Sequence, residues 1–454
     1  MTQNKYNDSH YDIIVIGAGI SGLLSALALS KEGKKVLILE KDSKVGGVCR
    51  SYEVDDYRVD TGPHAITRLD SGPLRELMDK YFDVVPQFVP FGKYYVRASN
   101  RLEPFPWSLK DWLTFDIIPK KDRLLLMKSL FDMFYRLSMG KDLSAVSIAD
   151  VLPSEISSTT RRFWDYLSYF MLGTSMKSAP VSRFIDNKCH KQDDKPSSIP
   201  YAGKIYNLLI SEGATDHKYP KGGIQSITNC ILSSFPKNRV EIKTNEQVTD
   251  LQTSDTNEIT IKGVSTEENN YSCDIVVYSG FASDLPNLIS GLPEDYARNL
   301  MQIKKVNSLT IWLGLTKQFF SNHGCEMWVD SDPYIWAVPT SNYDPGLAPA
   351  GKQLVGFATV LPEKYDPAEA RKKALNAIIQ TIPEIESHID MIHYQELIPE
   401  KAAWSLDSSF GDVKTPIKNL YTVGTDAEKR SMGITRAAYS VLRCLRIMRS
   451  ERVL

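Results

Sequence analysis

Short, wholly apolar runs separated by a glycine-rich turn characterise the first forty residues. Residues 13–16 (Ile-Ile-Val-Ile) and residues 36–39 (Val-Leu-Ile-Leu) are each four consecutive apolar positions with no polar alternation. Such runs predict parallel strands that are buried on both faces of a sheet. Residues 23–27 supply the apolar positions of an intervening helix. The pattern therefore predicts a strand, a turn, a helix and a second strand.

The turn contains three glycines in the spacing G-x-G-x-x-G. Gly17 allows the tight turn, Gly19 lets the backbone approach a pyrophosphate, and Gly22 lets the helix pack closely on the sheet. Ile20 and Ser21 begin the helix, where unpaired N–H groups and the helix dipole stabilise an anion. The placement of these glycines predicts a dinucleotide site rather than an ordinary strand–turn–helix corner.

The residues after the second strand extend this site and favour FAD. Glu40, followed by Lys41, ends the strand about 20 residues beyond the glycines, where a carboxylate accepts hydrogen bonds from an adenosine ribose. Gly46, Gly47 and Arg50 come next. A further close backbone approach and a nearby arginine suit a cofactor whose pyrophosphate and isoalloxazine both lie against the main chain. The turn Gly62-Pro63-His64 adds to the same signal.

The composition limits the number of globular units, the partners and the location that can be expected. The chain has 454 residues, 42% hydrophobic and 24% charged content and a net charge of −1, which predicts two or three globular units and no nucleic-acid partner. The six cysteines are scattered without metal or redox spacing, so we expect reduced thiols, no metal and a cytoplasmic location. The polar residues 1–10 lack a signal-peptide core, and no apolar run is long enough to span a membrane.

The periodicity further along predicts an α/β protein with a Rossmann-like cofactor domain and an interleaved α+β substrate domain. We expect the cofactor domain to be discontinuous, comprising residues 1–75, 215–285 and 405–454, with the substrate domain formed by 76–214 and 286–404. Helices are predicted at about 121–137, 161–171, 224–232 and 367–381, and a final helix is predicted to end at residue 447. Strands are predicted at 258–263, 274–280, 309–315 and 354–360, and a polar loop at 188–200.

The C-terminal region contains a second pattern that is typical of a cofactor site. A strand ends in Gly424-Thr-Asp426, and Gly433 and Ile434 open the final helix. N–H donors and a carboxylate placed there can receive an extended cofactor, and the helix N-terminus can stabilise negative charge on a reduced flavin. Asp426 and Gly433 can equally be capping and turn residues, and the local sequence leaves both interpretations open.

These segments resemble the flavoprotein amine oxidase and phytoene desaturase superfamily, which includes carotenoid desaturases and isomerases and protoporphyrinogen oxidase. The resemblance rests on residues 14–47, 59–64, 219–226, 240–248 and 420–440 and covers nearly the whole chain. It implies that Val248 lies by the adenine and that FAD is contacted by Glu40, Arg50 and five glycines: Gly17, Gly19, Gly22, Gly47 and Gly62. Gly280 is included in the cofactor site, and Gly424, Asp426 and Ile434 are implied to lie by the ribityl chain and flavin. Family members commonly carry adjacent Gly-Asp, so the intervening Thr425 makes the role of Asp426 less certain.

The match is closest to the phytoene desaturase branch, which implies a long isoprenoid substrate. The aromatic and apolar residues between 82 and 180 suit the walls of a tunnel for such a chain, because each buried CH₂ contributes roughly 0.8 kcal/mol; they also suit an ordinary core. Lys120, Lys121 and Arg123 could dock the tunnel mouth on an anionic membrane as a peripheral contact, although a solvated helix face explains them as well.

A flavin would carry the hard chemical step, so no nucleophilic triad is needed. His64 is the first candidate for a residue beside the flavin, because an imidazole transfers protons near neutral pH. Arg68 and Tyr219 are weaker catalytic candidates, and a structural role for His64 is as plausible. There is no second G-x-G-x-x-G for a nicotinamide cofactor. Reoxidation by a quinone, a small redox carrier or oxygen is therefore expected.

Several functions remain open. The first is a desaturase; the second is a non-redox enzyme that isomerises, cyclises or hydrates prenyl double bonds with reduced FAD. A third is a prenyl-binding escort protein resembling the Rab GDP-dissociation inhibitors, against which the intact glycines and Arg50 count. Porphyrinogen oxidation is a further alternative. Amine oxidation ranks lower, because no aromatic pair is evident near the C-terminal turn.

Overall fold

Two seven-stranded sheets organise the part of the chain that the structure describes, residues 6–185, 215–254 and 259–454 of a computed structural model. The strands in chain order are β1 (Tyr6–Ile16), β2 (Val36–Leu39), β3 (Ser51–Val54), β4 (Tyr57–Asp60), β5 (Phe88–Pro90), β6 (Lys93–Ala98), β7 (Arg101–Pro104), β8 (Lys218–Pro220), β9 (Val240–Lys243), β10 (Val248–Ser254), β11 (Thr260–Thr266), β12 (Asn270–Tyr278), β13 (Val306–Leu315), β14 (Gly324–Trp328), β15 (Ile335–Val338), β16 (Gln353–Leu361), β17 (Ile389–Glu400) and β18 (Leu420–Thr422).

The α-helices of the described residues lie between these strands. They are α1 (Ile20–Lys31), α2 (Pro73–Tyr81), α3 (Leu109–Thr114), α4 (Lys120–Ser138), α5 (Ile148–Val151), α6 (Ser158–Leu172), α7 (Ser182–Ile185), α8 (Gln225–Ser233), α9 (Glu294–Met301), α10 (Pro367–Thr381) and α11 (Gly433–Ser450). Most predicted helices are confirmed to within three residues at each end. The predicted loop 188–200 lies outside the described residues.

The first sheet is built around β1, which pairs in parallel with β2 on one side and β12 on the other. The order is β10-β11-β12-β1-β2-β9, and β18 also pairs with β12. Residues 13–16 and 36–39 are buried, as expected for strands with helices on both faces. β1 begins at residue 6, earlier than the apolar run, because its first half continues the pairing with β12.

The second sheet has the order β17-β13-β16-β15-β14-β6-β7 and is antiparallel except for the β14–β6 pair. The α/β fold class with a Rossmann-like unit and a further mixed region is confirmed. All strands of the first sheet fall in the three segments predicted for the cofactor domain, and those of the second sheet fall in the other two. The exact division into domains stays a prediction.

Helix α4 exposes several large apolar side chains. Leu124, Phe131 and Tyr135 are 67%, 56% and 65% exposed. Arg123, expected at the surface, is instead buried, where it donates to the Leu113 carbonyl at 2.6 Å and pairs with Asp116 at 3.2 Å. Helix α4 therefore exposes an apolar face. Among the described residues, none of the helices combines the length and apolar character needed to cross a membrane.

Candidate functional site

A cavity of about 1780 Å³ extends from the carboxyl ends of β1 and β12 to one face of the second sheet. Gly17 and Gly280 line it at the first sheet, and Thr310, Trp336 and Tyr94 line it at the second. Ligands of open parallel sheets bind outside the carboxyl ends of the strands. The cavity therefore joins the predicted cofactor position to the interior of the second region.

The glycine turn has the geometry that its sequence predicts. Gly17 has φ +94°, a left-handed conformation that favours glycine, where β1 turns into α1. An ideal Cβ on Gly22 would lie 2.0 Å from the Gly17 carbonyl oxygen, so the helix start packs against the turn. An ideal Cβ on Gly19 meets no heavy atom within 4 Å. The backbone at Gly19 thus borders open space in the cavity.

Glu40 lies at the end of β2 with its carboxylate held by main-chain donors. Ala18 N–H donates to Oε2 at 2.6 Å and Asp42 N–H donates to Oε1 at 2.9 Å. A carboxylate offers about four acceptor positions, so these two bonds orient it and leave capacity for ribose hydroxyls. Val248, implied to lie by the adenine, lines the same cavity, as do Lys41 and Arg50.

Gly46 and Gly47 follow as a second backbone element beside the turn. Gly46 N–H donates to the Ala18 carbonyl at 2.8 Å, and Gly46 pairs with Gly19 as an isolated bridge. Gly47 lines the cavity, with an ideal Cβ only 3.2 Å from the Gly19 Cα. Gly46 and Gly22 do not line the cavity, so their contribution is to hold the loop rather than to face a ligand.

The N-terminus of α11 also borders the cavity, where Gly433 and Ile434 were expected to face a flavin. The Gly433 N–H donates to the Glu400 carboxylate, which also pairs with Arg436 at 3.1 Å. Burial raises the pKa of Glu400. Sequence reasoning missed this carboxylate, because it reaches the helix only through the long β17 strand.

Lys401 is a second residue that the sequence did not indicate. Its Nζ donates to the carbonyls of Ser279 and Gly280 at 2.6 and 2.7 Å, directly behind the glycine turn. Burial lowers the pKa of Lys401, and the Asp426 carboxylate opposes that shift. The lysine fixes the loop after β12, and Gly280 is thereby held at the cavity wall.

Gly424 and Asp426 do not line the cavity, and their expected place beside the ribityl chain stays a prediction. The Asp426 carboxylate accepts the Ala282 N–H at 2.7 Å, and Gly424 N–H donates to Ser440 at 2.9 Å. Thr425, the residue inserted between them, lines the cavity instead. The Gly-Thr-Asp spacing thus turns the threonine toward the ligand space and the aspartate into the protein.

Tyr219 also falls outside the cavity lining. It is fully buried and donates to Asp60 Oδ2 at 2.6 Å, and the Ser51 hydroxyl and Ile224 N–H also donate to Asp60. Burial raises the pKa of the Tyr219 hydroxyl well above its ordinary value. This position argues against the catalytic role considered for Tyr219 and indicates a structural one.

His64 and Arg68 line the cavity together with Gly62 and Pro63. His64 Nε2 lies 3.1 Å from the Thr61 carbonyl, to which it donates, and burial lowers the pKa of the imidazole. Arg68 donates to the Tyr439 hydroxyl at 2.6 Å. The structure therefore brings both remaining catalytic candidates to the cavity, His64 as a neutral ring and Arg68 as an anchored cation.

Beyond this cofactor end the cavity wall is mainly aromatic and aliphatic. The apolar lining residues come from the strand and helix segments between 94 and 184 and from the second sheet; they include Phe105, Trp107, Trp112, Leu126, Met127, Leu130, Met133, Trp164, Phe170, Phe184, Met327 and Trp336. A wall of this kind excludes water and accommodates a long apolar ligand.

Comparison with known proteins agrees with this arrangement. Residues 20–394 match the family of flavin containing amine oxidoreductases. The chain is 24% identical over 474 aligned positions to the 4,4'-diapolycopene oxygenase of Methylomonas sp., covering 92% of this chain and 91% of that protein. It is 37% identical over 100 residues to the all-trans-retinol 13,14-reductase of Rattus norvegicus, covering 21% of this chain and 16% of that protein.

Solved structures share the fold. An oxidoreductase from Methanosarcina mazei superposes with a TM-score of 0.76 at 18% identity, covering 96% of this chain and all of that one. The residues described above also fit FAD: Gly19 borders open space, and Glu40 is oriented with acceptor capacity to spare. The protein is therefore a flavoprotein whose cofactor is FAD.

The glycine turn gives a matched pair of substitutions. Gly22→Ala places a Cβ against the Gly17 carbonyl and should lower the unfolding free energy by about 1–3 kcal/mol. Gly19→Ala keeps an allowed φ of −69° and projects only into the cavity, so it should leave the stability of the FAD-free protein unchanged and weaken FAD binding at least about tenfold. Denaturant unfolding and FAD titration measure the two effects. Equal stability of both variants would contradict this assignment.

The structural role of Tyr219 can be separated from catalysis. Tyr219→Phe removes one hydrogen bond to the buried Asp60 carboxylate and should cost roughly 1.5–3 kcal/mol of stability. Flavin reduction rates should stay within about twofold of those of the unaltered protein. Tyr343→Phe, which removes a buried hydroxyl bonded to the Gly324 carbonyl, is the control. A large loss of rate without loss of stability would restore a catalytic role for Tyr219.

Proposed function

The chain belongs to the flavin containing amine oxidoreductase family and is an FAD-dependent oxidoreductase, and from that premise we propose that it desaturates a long isoprenoid. The observation that carries this proposal is the apolar part of the cavity, which is lined by residues between 94 and 184 and by the second sheet. This part, called the chamber below, opens directly from the cofactor end. An isoprenoid has many CH₂ and CH₃ groups, and burying each CH₂ contributes roughly 0.8 kcal/mol. The names of the oxygenase and reductase relatives, which refer to a carotenoid and to retinol, support the same substrate class.

We propose that FAD is held along the first sheet. Glu40 and Val248 would contact the adenosine half, and Gly19, Ile20 and Ser21 at the start of α1 would contact the pyrophosphate. Residues 62–64 and the start of α11 would border the flavin. When bound, FAD supplies a two-electron acceptor.

The protein's own residues then bind the substrate, exclude water and accept the proton that leaves the substrate. Desaturation removes two hydrogens from the isoprenoid, one as a hydride that carries both electrons and one as a proton, so a proton acceptor near the cofactor is needed. His64 is the proposed acceptor, because it lines the cavity and its lowered pKa keeps the imidazole neutral at pH 7. Arg68, anchored on Tyr439, would position the loop that carries His64.

The second candidate is a non-redox reaction, hydration or isomerisation of a prenyl double bond with reduced FAD. Glu400 favours it as an alternative, because this carboxyl lines the cavity at the start of α11 and burial raises its pKa, which suits a group that transfers a proton to a double bond. Family membership argues against the prenyl-escort alternative. Porphyrinogen or amine oxidation finds less support, since the chamber is long and mainly apolar.

We also propose that the exposed face of α4 contacts a membrane. Leu124, Phe131 and Tyr135 project from a helix whose opposite face lines the cavity. The exposed side of that helix carries four basic residues (Lys120, Lys121, Lys128 and Arg136) against one acidic residue (Asp132), within a chain of net charge −1. An apolar face flanked by basic residues suits an anionic lipid surface. A membrane would also deliver the isoprenoid and a quinone acceptor for reoxidation.

The reaction is tested by mass spectrometry of a prenyl lipid extract incubated with FAD-loaded protein, in oxidised and in pre-reduced anaerobic samples. The proposal predicts a product lighter by two hydrogens only with oxidised flavin. His64→Gln should lower the rate of flavin reduction by about a hundredfold or more while FAD stays bound. Gain of water or an isomer of equal mass, formed only with reduced flavin, would favour the second candidate. Unchanged lipids in both samples would contradict both.

The membrane contact is tested by sedimentation with anionic and zwitterionic vesicles. The double substitution Leu124→Ser and Phe131→Ser should abolish most binding to anionic vesicles, because it removes two apolar side chains from the exposed face. Met301→Ser, which alters a methionine 65% exposed on a different helix, is the control and should bind normally. Equal vesicle binding by the double variant and the unaltered protein would contradict the docking face.

A further inference from the structure

Two hydroxyl side chains interrupt the apolar inner face of the second sheet. Ser308 and Thr310 both lie on β13 and line the cavity, and they are only 8% and 1% exposed. Alternate residues of a strand share one face, so these two side chains project from the same face at positions about 7 Å apart. Leu309 and Ile311 point to the opposite face, where they pack in a separate apolar core. The two hydroxyls therefore belong to the face that borders the cavity.

These hydroxyls are available to a ligand. Among the described residues, neither Ser308 nor Thr310 has a hydrogen-bond partner for its side chain, and both oxygens stay accessible from the cavity. Thr340 is the contrasting case, because its hydroxyl also lacks a partner but is closed off and lies outside the cavity lining. A buried hydroxyl without a partner costs free energy, and a serine or threonine hydroxyl can both donate and accept. The pair is therefore suited to a polar atom that a ligand supplies.

The pair lies at the cofactor end of the cavity. An ideal Cβ on Gly62 would lie 3.9 Å from the Thr310 hydroxyl oxygen, so this hydroxyl borders the turn that carries the proposed proton acceptor. In the other direction along β13, Val306 pairs with Glu400, whose carboxylate holds the start of α11. Ser308 lies between these two points. Both hydroxyls thus face the space between the two segments that we propose border the flavin.

The same face of the sheet continues into the apolar chamber. On the neighbouring strand β16, Ala358 pairs with Thr310 and lines the cavity. Val360 pairs with Ser308 and lines the cavity as well, and Trp336 on β15 pairs with Ala358. The hydroxyl pair is therefore the polar edge of an apolar floor. Because the cofactor is proposed to lie along the first sheet, a ligand resting on this floor of the second sheet is the substrate.

We infer that Ser308 and Thr310 bind an oxygen atom of the isoprenoid substrate, a hydroxyl or a carbonyl, and hold that end of the substrate toward the cofactor. A hydroxyl can accept a proton from one side chain and donate to the other, and a carbonyl can accept from both. The apolar chain then lies along the floor of the chamber, whereas a pure hydrocarbon leaves both side chains unpaired. This inference rests on the proposed function, because it specifies the substrate class of the same cavity.

The test compares three probes of equal chain length by fluorescence titration of the FAD-loaded protein: a prenyl alcohol, the corresponding aldehyde and the corresponding hydrocarbon. We expect the alcohol, the aldehyde or both to bind about tenfold more tightly than the hydrocarbon. Equal affinity for all three overturns the inference but leaves an isoprenoid substrate intact. Failure of all three to bind overturns the proposed function and this inference with it.

Two variants assign the effect to these residues. Ser308→Ala and Thr310→Val each remove one hydroxyl and should weaken binding of the oxygenated probe about fivefold. Affinity for the hydrocarbon and for FAD should stay within about twofold. Because neither hydroxyl has a partner among the described residues, the unfolding free energy of the ligand-free variants should not fall.

The matched control is Thr340→Val, which removes a buried threonine hydroxyl that lies outside the cavity lining. It should preserve the preference for the oxygenated probe. A preference that survives the double substitution Ser308→Ala and Thr310→Val in a folded, FAD-bound protein overturns the assignment. Weaker FAD binding by either single variant would instead assign the hydroxyls to the cofactor, and would also overturn it.

Discussion

The contact between the start of α1 and the turn that precedes it is the constraint on which the rest of the site depends. Only a glycine at position 22 allows the helix to approach the turn this closely, because a Cβ there would lie 2.0 Å from the Gly17 carbonyl oxygen. That approach directs the N-terminus of α1 at open space beside Gly19. The Glu40 carboxylate is then held in place by the Ala18 N–H, within the same turn. One close backbone contact thus orients both the helix start that we propose binds the pyrophosphate and the carboxylate that we propose binds the ribose.

The second sheet converts this cofactor position into a chamber. Its inner face runs from β13 beside Gly62 to β6, and the helices between 109 and 172 close the space above it. The buried ion pair of Glu400 and Arg436 fixes the start of α11 at the junction. Because these elements come from distant parts of the chain, the chamber depends on packing between the two regions rather than on any local sequence.

The parts that the sequence predicts well are those in which neighbouring residues make the structure. The glycine turn, Glu40 and the apolar strands lie within about thirty residues, and their chemistry follows from spacing alone. Glu400 and Lys401 were missed because they reach the cavity through long-range strand pairing. The residue type suggested cofactor chemistry for Asp426 and Tyr219, whereas in the fold their side chains bond to Ala282 and Asp60 and lie outside the cavity lining. Their roles stay predictions.

The central claim is that the cavity holds a complete dinucleotide, with its adenosine half on Glu40 and its flavin half toward the second sheet. The most direct measurement is the affinity of the cofactor-free protein for FAD and for FMN, which lacks the adenosine half. Hydrogen bonds from ribose to a charged acceptor predict that FAD binds at least about a hundredfold more tightly, and that Glu40→Gln removes most of that difference. Equal affinities for FAD and FMN would contradict the account.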